Sequence, residues 1–166
     1  SKLLDFSRRQ VPVFGEVDMN VLVANVVKLV GRQKELEKLS IELNYSSKSV
    51  IIYGDVNQLQ QVFLNMILNA IDATADGGRI KITTIGVDNY AQIVFEDTGC
   101  GIAPDNLDKI FEPFFTTKSP GRGTGLGLSI CYGIIEEHKG KIAVNSNGIG
   151  KGSSFTISLP VGKESA

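Results

Sequence analysis

The chain has 166 residues, of which 42% are hydrophobic, and its 18 acidic and 17 basic side chains give a formal net charge of −1. This size predicts one domain with a single substantial core. The near-zero charge gives no reason to expect nucleic acid or an anionic membrane surface as a partner, and no stretch approaches 18 uninterrupted apolar residues, so neither a membrane span nor a signal peptide is predicted.

Cysteine and histidine usage points to a reduced setting. The chain contains only two cysteines, Cys100 and Cys131, and a single histidine. No zinc-type spacing is present, and one pair of cysteines is weak evidence for a disulfide. A cytoplasmic location is therefore expected.

The first third of the chain predicts a linker, a helix and two strands. Residues 1–16 lack a regular period and contain Pro12, so we interpret them as the tail of an upstream helix and its linker. Asp18 or Asn20 can cap a helix that runs to about residue 37. Alternation predicts a strand over 39–45 and a short one over 50–53.

A long helix and a hairpin follow. Gly54 ends the second strand, Asp55 caps the helix, and the apolar period runs to about Ala75. Residues 79–87 and 90–97 then form a hairpin across Asp88-Asn89, which is a good turn pair.

The last third predicts two helices, a loop between them and a closing hairpin. A short helix starts at Pro104 and runs through Ile110, a loop follows over 112–124, and a helix capped by Thr124 continues to His138, where Gly140 stops it. Strands at 141–147 and 153–160 close the chain. Pairs of strands alternating with single helices predict an α/β two-layer sandwich with a mixed, mostly antiparallel sheet of about five strands on three helices.

The helix over 55–75 carries an unusual polar stripe. Its members recur at helical spacing, so they share one face, which is directed either at solvent or at a cavity. A solvated face usually holds Lys, Glu and Arg, whereas Asn is a poor helix former. Two Asn one turn apart suit carbonyl-oxygen ligation of a hard cation such as Mg²⁺. The stripe consists of Gln58, Gln61, Asn65, Asn69 and Asp72.

The second and third signals are glycine-rich. Asp97-Thr-Gly-Cys-Gly follows a strand, and it is either a simple turn or a carboxylate that accepts the amine of adenine, with glycines that let the base approach the backbone. Phe111, Phe114 and Phe115 precede a Pro/Gly segment, and they are either core residues or the anchor of a lid. The run GRGTGLG (121–127) enters a helix and offers backbone N–H groups to an anion.

Taken in order, these motifs resemble the N box, the glycine boxes and the F box of sensor histidine kinases. The similarity covers about residues 17–160, and FFTTK (114–118) resembles the nitrogen-regulatory branch of that family. The resemblance implies the Bergerat ATP-binding fold, ATP and Mg²⁺ as ligands, and phosphoryl transfer to a histidine on a separate dimerisation segment. It also implies a response regulator as the downstream partner, with no nucleic acid and no direct membrane contact by this fragment.

The resemblance also implies roles for individual residues. Asn69, with Asn65 one turn earlier, matches the metal-binding position, and Asp97 matches the adenine-recognising aspartate. Asn65, Lys118 and Arg122 are the predicted catalytic residues. The predicted nucleotide-binding residues are Asn65, Asn69, Asp97, Gly99, Gly101, Ile102, Phe115, Thr116, Lys118, Gly123, Thr124, Gly125, Leu126, Gly127 and Ser153.

Two features qualify the resemblance. Many relatives carry Lys or Arg three residues after the metal-binding asparagine, whereas this chain has Asp72, so Lys118, Arg122 and the metal must meet the phosphate charge. The only histidine, His138, lies at a helix end where the dipole favours it, so the acceptor histidine is expected outside this chain. The expected organisation is a linker over 1–16, the catalytic domain over 17–162 and a tail over 163–166.

Two alternatives use the same motifs. One is an anti-sigma-factor serine kinase of the same fold, and LLDFSRR argues against it because it resembles the end of a dimerisation helix. The other is a nucleotide-binding module that has lost catalysis, and the presence of Asn69, Asp97 and the lid glycines argues against it.

Overall fold

A computed structural model of the chain describes residues 11–31, 38–115 and 127–162, and these form three α-helices and seven strands. The helices are α1 (Met19–Val30), α2 (Val56–Ala73) and α3 (Gly127–Glu137). The strands are β1 (Gly15–Asp18), β2 (Ser40–Asn44), β3 (Ile51–Gly54), β4 (Arg79–Val87), β5 (Tyr90–Asp97), β6 (Lys141–Asn145) and β7 (Ser153–Pro160).

Five strands form one mixed sheet in the order β2-β4-β5-β7-β6. Only the β2–β4 pair is parallel, and the other three pairs are antiparallel. Alternate residues of β5, namely Ala91, Ile93 and Phe95, are buried, and Phe95 meets Phe63 of α2 edge-on at 5.7 Å between ring centroids. The helices therefore cover one face of the sheet, and the predicted two-layer α/β sandwich is confirmed.

Both predicted helix caps are present. Asp18 accepts two backbone N–H bonds from the first turn of α1, and Asp55 does the same for α2. These bonds satisfy donors that have no partner within a helix. The described part of the first helix ends at Val30, and the predicted continuation over 32–37 lies outside the described residues.

The hairpin between β4 and β5 also matches its prediction. Val87 pairs with Tyr90 across the two-residue turn. Asp88 has φ 54, which is the left-handed conformation that such tight hairpin turns require and that Asp tolerates better than most residues.

A strand that the sequence does not predict precedes α1. β1 pairs antiparallel with β3 in a small second sheet, from Gly15 opposite Gly54 to Asp18 opposite Ile51. Four residues that include a glycine and two acids show no recognisable alternation, so only the pairing with β3 reveals the strand.

The predicted helix from Pro104 through Ile110 is wrong. Only Pro104–Asn106 is helical, and it is a 3₁₀ turn. The turns after it again bond residue i to residue i−3, as in Lys109 N–H to the Asn106 carbonyl and Glu112 N–H to the Lys109 carbonyl. Asp and Asn in this segment favour such local turns over a regular helix.

The end of α3 differs in detail from the prediction. Lys139, not Gly140, adopts the left-handed conformation, with φ 59. Its N–H bonds the Glu136 carbonyl while the Gly140 N–H bonds the Ile135 carbonyl, which is the Schellman pattern. Gly140 is needed for packing, because a Cβ there would collide with the Ser158 carbonyl oxygen.

Within the described ranges, no helix is both long and apolar enough to cross a bilayer.

Candidate functional site

The polar stripe of α2 is not a uniformly solvated face. Asn65 and Asn69 are half-buried, whereas Gln61 and Asp72 are exposed. The side-chain carbonyl oxygen of Gln58 is buried and has no hydrogen-bond partner among the described residues. The stripe is therefore buried in part and is not the fully solvated face of an exposed helix.

The start of the described part of α3 lies against the middle of the stripe. The Asn65 amide nitrogen lies 3.5 Å from the Cys131 sulfur and donates to it. A Cβ at Gly127 would lie 3.8 Å from the Asn65 amide group, which is an ordinary van der Waals contact. The backbone of α3 at Gly127 is therefore a close neighbour of this amide, although the contact does not require a glycine.

The glycine loop, which we define as residues 98–102, lies against the C-terminal end of α2. The Cys100 N–H bonds the Ala73 carbonyl at 2.8 Å, and a Cβ at Gly99 would collide with the same carbonyl oxygen. Ala73 is eight residues beyond Asn65, or about 12 Å along the helix. Asn69 lies midway between the α3 contact and the glycine-loop contact.

The carboxylate of Asp97 is held in one orientation. Its Oδ1 accepts the Gly99 N–H at 2.9 Å and the Ser153 N–H at 3.3 Å, and its Oδ2 accepts the Ser153 hydroxyl at 2.8 Å. Asp97 is half-buried. The two predicted site residues Asp97 and Ser153 are therefore in direct contact, and a carboxylate with three donors retains capacity for one more.

Ser146 is a further residue of the site that the sequence motifs do not identify. It lies at the end of β6, and its hydroxyl bonds the Ile102 N–H at 3.0 Å. The sequence predicts only a closing hairpin for this part of the chain, with Ser146 inside the strand over 141–147. A serine at the start of a glycine-rich turn is a signal that could have identified it.

The three phenylalanines do not behave alike. Phe111 is half-buried, with its ring centroid 5.5 Å from that of Tyr132 and 6.4 Å from that of Phe155. Phe115 packs against the core. Phe114 is 75% exposed and has φ 67, so it is not a core residue. Whether it anchors a lid stays a prediction, because the loop that follows lies outside the described residues.

Several predicted residues lie outside the described part of the chain. They belong to the predicted loop and to the predicted phosphate-binding segment between Phe115 and Gly127. These are Thr116, Lys118, Arg122, Gly123, Thr124, Gly125 and Leu126.

His138 is a structural residue because of its buried contacts and not because of the helix dipole, which favours a charged imidazolium. It is buried, its Nε2 accepts the Asp55 N–H at 3.0 Å, and its Nδ1 lies 2.8 Å from the Ile134 carbonyl. These partners require the neutral tautomer that carries its proton on Nδ1. The ring also stacks on Phe14, with 4.7 Å between centroids, so His138 joins α3, the cap of α2 and the segment before β1.

Burial raises the pKa of the Cys131 thiol to about 11, although the Asn65 hydrogen bond works in the opposite direction. The thiol therefore stays protonated at neutral pH and is a poor nucleophile. Its contact with Asn65 makes it a support for that amide.

The fold and this site agree with a known family. The family model for histidine kinase-, DNA gyrase B-, and HSP90-like ATPases matches residues 54–163, which is more than half of the chain. The chain belongs to this ATPase family.

The similar full-length proteins include kinases. Sporulation kinase E of Bacillus subtilis is 38% identical over 162 residues, which are 97% of this chain and 22% of the kinase. Sensor histidine kinase ZraS of Escherichia coli strain K12 is 38% identical over 161 residues, which are 97% of this chain and 34% of the relative. The chain thus spans about a fifth to a third of the length of these two relatives.

The similar solved structures are also histidine kinases. Full-length ShkA in complex with AMPPNP superposes with a TM-score of 0.81 at 28% identity, covering 97% of this chain and 34% of the ShkA chain. Histidine kinase ThkA in complex with response regulator protein TrrA gives a TM-score of 0.81 at 30% identity, covering 99% of this chain and 47% of the ThkA chain.

Proposed function

We propose that this chain binds ATP with Mg²⁺ and transfers the γ-phosphoryl group to a histidine on a separate dimerisation segment of its parent protein. That histidine then phosphorylates the receiver domain of a response regulator. The observation that carries the proposal is the arrangement along α2. Its half-buried amides, Asn65 and Asn69, lie on the same helix whose C-terminal end bonds the glycine loop beside the fixed carboxylate of Asp97.

Asp97 is the proposed adenine contact. Ser153 and Gly99 hold the carboxylate, and its remaining lone pair can accept one N–H bond from the exocyclic amine of adenine. Because the carboxylate is half-buried, a guanine carbonyl at the same place would leave two acceptors facing each other, which is costly. Gly99, Gly101 and Ile102 are proposed to line the base through their backbone.

Asn65 and Asn69 fit a magnesium site. Amide oxygens are hard donors, and Mg²⁺ in nucleotide sites takes few protein ligands because it also uses water and substrate phosphates. Within the described ranges, no group of three His, Cys, Asp or Glu side chains could hold a metal alone. Bound Mg²⁺ would neutralise charge on the phosphates.

Phosphoryl transfer to a strong nucleophile suits this site better than hydrolysis does. An amide cannot take a proton from water, so Asn65 cannot serve as a general base. Positioning and charge neutralisation then carry the reaction. We propose that Lys118 and Arg122 supply positive charge to the phosphates, with Phe115, Thr116 and the run Gly123–Gly127 around them.

The context of the domain is part of the proposal. The predicted boundary at residue 17 lies too late, because β1 begins at Gly15, Phe14 stacks on His138 and Val13 bonds Asp55. We therefore assign 13–162 to the catalytic domain, 1–12 to the end of the preceding helix and its linker, and 163–166 to a tail. The ShkA complex with AMPPNP and the ThkA complex with its response regulator support a nucleotide and a receiver domain as partners. A cytoplasmic location follows from the need for ATP and for that receiver.

The test is transfer between separate pieces. The fragment is mixed with γ-labelled ATP, Mg²⁺ and the separately produced dimerisation segment of the parent. Label should appear on the added segment only, and it should be lost in acid, as phosphohistidine is. Asp97→Asn, which keeps the size of the side chain, is the matched control and should give no label.

Two outcomes would contradict the proposal. Acid-stable label would indicate a serine kinase instead. Acid-labile label on the isolated fragment, absent from His138→Gln, would show that the acceptor lies within this chain.

A further inference from the structure

The glycine loop at the site is held by a second loop that the proposed function leaves unused. We call residues 146–152, between β6 and β7, the closing loop. The Gly150 N–H bonds the Cys100 carbonyl at 2.7 Å, and the Gly152 N–H bonds the Gly99 carbonyl at 3.1 Å. Two backbone hydrogen bonds therefore connect the loops directly.

The two loops also touch backbone to backbone. A Cβ at Gly101 would collide with the Gly148 carbonyl oxygen, and one at Gly152 would collide with the Asp97 carbonyl oxygen. Both glycines have left-handed φ values, 72 and 71, which other residues adopt at a cost. Since no side chain separates the loops, a shift of one must shift the other.

One hydroxyl organises this junction. Ser146 Oγ accepts the Ile102 N–H at 3.0 Å and the Gly148 N–H at 3.3 Å, and it donates to the Gly152 carbonyl at 2.7 Å. A hydroxyl offers one donor and two acceptor positions, so its capacity is used. Ser146 is half-buried, which limits the replacement of these bonds by water.

The bonds of Ser146 reach both sides of the proposed base site. Ile102 ends the glycine loop, and Gly152 precedes Ser153, whose hydroxyl fixes the Asp97 carboxylate. Ser146 thus joins the backbone that would line the base to the strand that orients the carboxylate. Without this hydroxyl, the two backbone hydrogen bonds between the loops would remain, but the direct link between Ile102 and Gly152 would be lost.

We propose that Ser146 is a positioning residue that fixes the glycine loop relative to Asp97 and thereby sets the affinity and the adenine selectivity of the site. The inference rests on the proposed function, because it takes the ligand of Asp97 to be an adenine base. Ser146 acts through the loop backbone and does not itself contact the nucleotide.

The experiment compares Ser146→Ala, Ser146→Thr and Ser154→Ala. Ser154 is a matched control, because it is also a half-buried serine at this end of the sheet but lies outside the junction. Calorimetric titration with ATP and GTP should show about tenfold weaker ATP binding for Ser146→Ala, the factor that corresponds to loss of one or two hydrogen bonds. The ratio of ATP to GTP affinity should fall, and Ser146→Thr should recover most of both.

Kinetics and hydrogen exchange separate positioning from plain stability. In the two-piece transfer assay, Ser146→Ala should raise KM for ATP about tenfold while kcat at saturation stays near wild type, the pattern of lost uniform binding. Exchange of the Ile102 amide should become faster in Ser146→Ala. A merely structural serine would lower Tm and leave the selectivity ratio unchanged, and that result would overturn the inference.

The two proposals fail in different ways. If the wild-type chain binds no ATP, the proposed function itself is wrong. If the wild type binds ATP and Asp97→Asn does not, but Ser146→Ala keeps wild-type affinity and selectivity, only the role of Ser146 is wrong. If Ser146→Ala does not fold, Ser146→Cys replaces it, because a thiol is a weaker partner of similar shape; wild-type affinity and selectivity in that variant would equally overturn the inference.

Discussion

Asp55 and Asp97 both lie at the end of a strand and accept similar local hydrogen bonds. Asp55 caps a helix, whereas Asp97 is the proposed adenine contact. Each accepts a backbone N–H bond of 2.9 Å from the residue two positions ahead, Asn57 or Gly99. Each carboxylate accepts three hydrogen bonds in all, and the third donor to Asp55 is the Val13 N–H at 2.8 Å.

The two aspartates differ in the segment that comes after each of them and in their surroundings. A helix begins directly after Asp55, and backbone N–H groups of its first turn donate to the carboxylate. The aspartate is only 7% exposed. Glycines come after Asp97, so no helix starts there, and the carboxylate remains half-buried. The same turn chemistry therefore makes a helix cap at Asp55, whereas at Asp97 it orients a partly exposed carboxylate, which is the proposed adenine contact.

The largest expected effect comes from Asp97→Asn. The variant can present an amide donor to the adenine amine, and a mismatch of this kind costs about 1–3 kcal/mol, or up to about 100-fold in affinity. The fold should tolerate the change, because the remaining amide oxygen can still accept the Gly99 N–H. Calorimetric titration with ATP, ADP and GTP measures it. Equal affinity of the wild type for GTP would remove the adenine assignment.

For Asp55→Ala we expect lower stability with unchanged ATP affinity, the reverse of Asp97→Asn. Loss of the cap and of the Val13 bond should lower the free energy of unfolding by about 2 kcal/mol, while the folded protein keeps its affinity for ATP. Asp18→Ala is the matched control, since it removes a cap without a third bond, and it should cost about 1 kcal/mol. Urea unfolding gives both values. A larger loss in Asp18→Ala would contradict the comparison.

Asn69→Ala tests the helix that connects the two aspartates. Alanine is the better helix former, so the variant should retain its helical circular dichroism. Its ATP affinity with Mg²⁺ should fall about tenfold, towards the value measured in EDTA, because a metal ligand is lost. If the variant keeps the full difference between Mg²⁺ and EDTA, the metal lies elsewhere.

The smallest effect concerns the two thiols, of which Cys131 lies beside the middle of α2 and Cys100 follows the loop contact at its C-terminal end. Cys100 is exposed beside Asp97, whereas Cys131 is buried beside Asn65. In the folded protein at pH 8, iodoacetamide should label Cys100 quickly and Cys131 slowly. Mass spectrometry of the digested protein distinguishes the sites, and fast labelling of Cys131 would contradict the described packing.

The buried thiol also predicts a pH dependence. Its pKa is raised from 9.0 to about 11 in the folded state, so above pH 9 the unfolded chain loses the proton while the folded chain keeps it. The contribution of Cys131 to stability is present below pH 9 and is lost as the pH rises towards 11. Cys131→Ser should reduce this alkaline decline in urea unfolding.

Local patterns in the sequence determined much of the architecture. Asp18 and Asp55 were identifiable as caps, Asp88-Asn89 as a hairpin turn, and the α2 stripe as an unusual face, because each depends on residues a few positions apart. The family resemblance then identified Asp97 and Asn69 as candidates, and their roles stay predictions.

Contacts between distant residues decided the rest. The pairing of β1 with β3, the buried bonds of His138 to Asp55 and the junction at Ser146 join positions far apart in the chain, and no local period encodes them. The exposed Phe114 and the left-handed Lys139 show the same limit, because aromatic character and a nearby glycine favoured other conformations. Side-chain type and spacing specify the local structure, whereas the partner that a hydroxyl, an imidazole or a strand edge finds depends on how the layers pack.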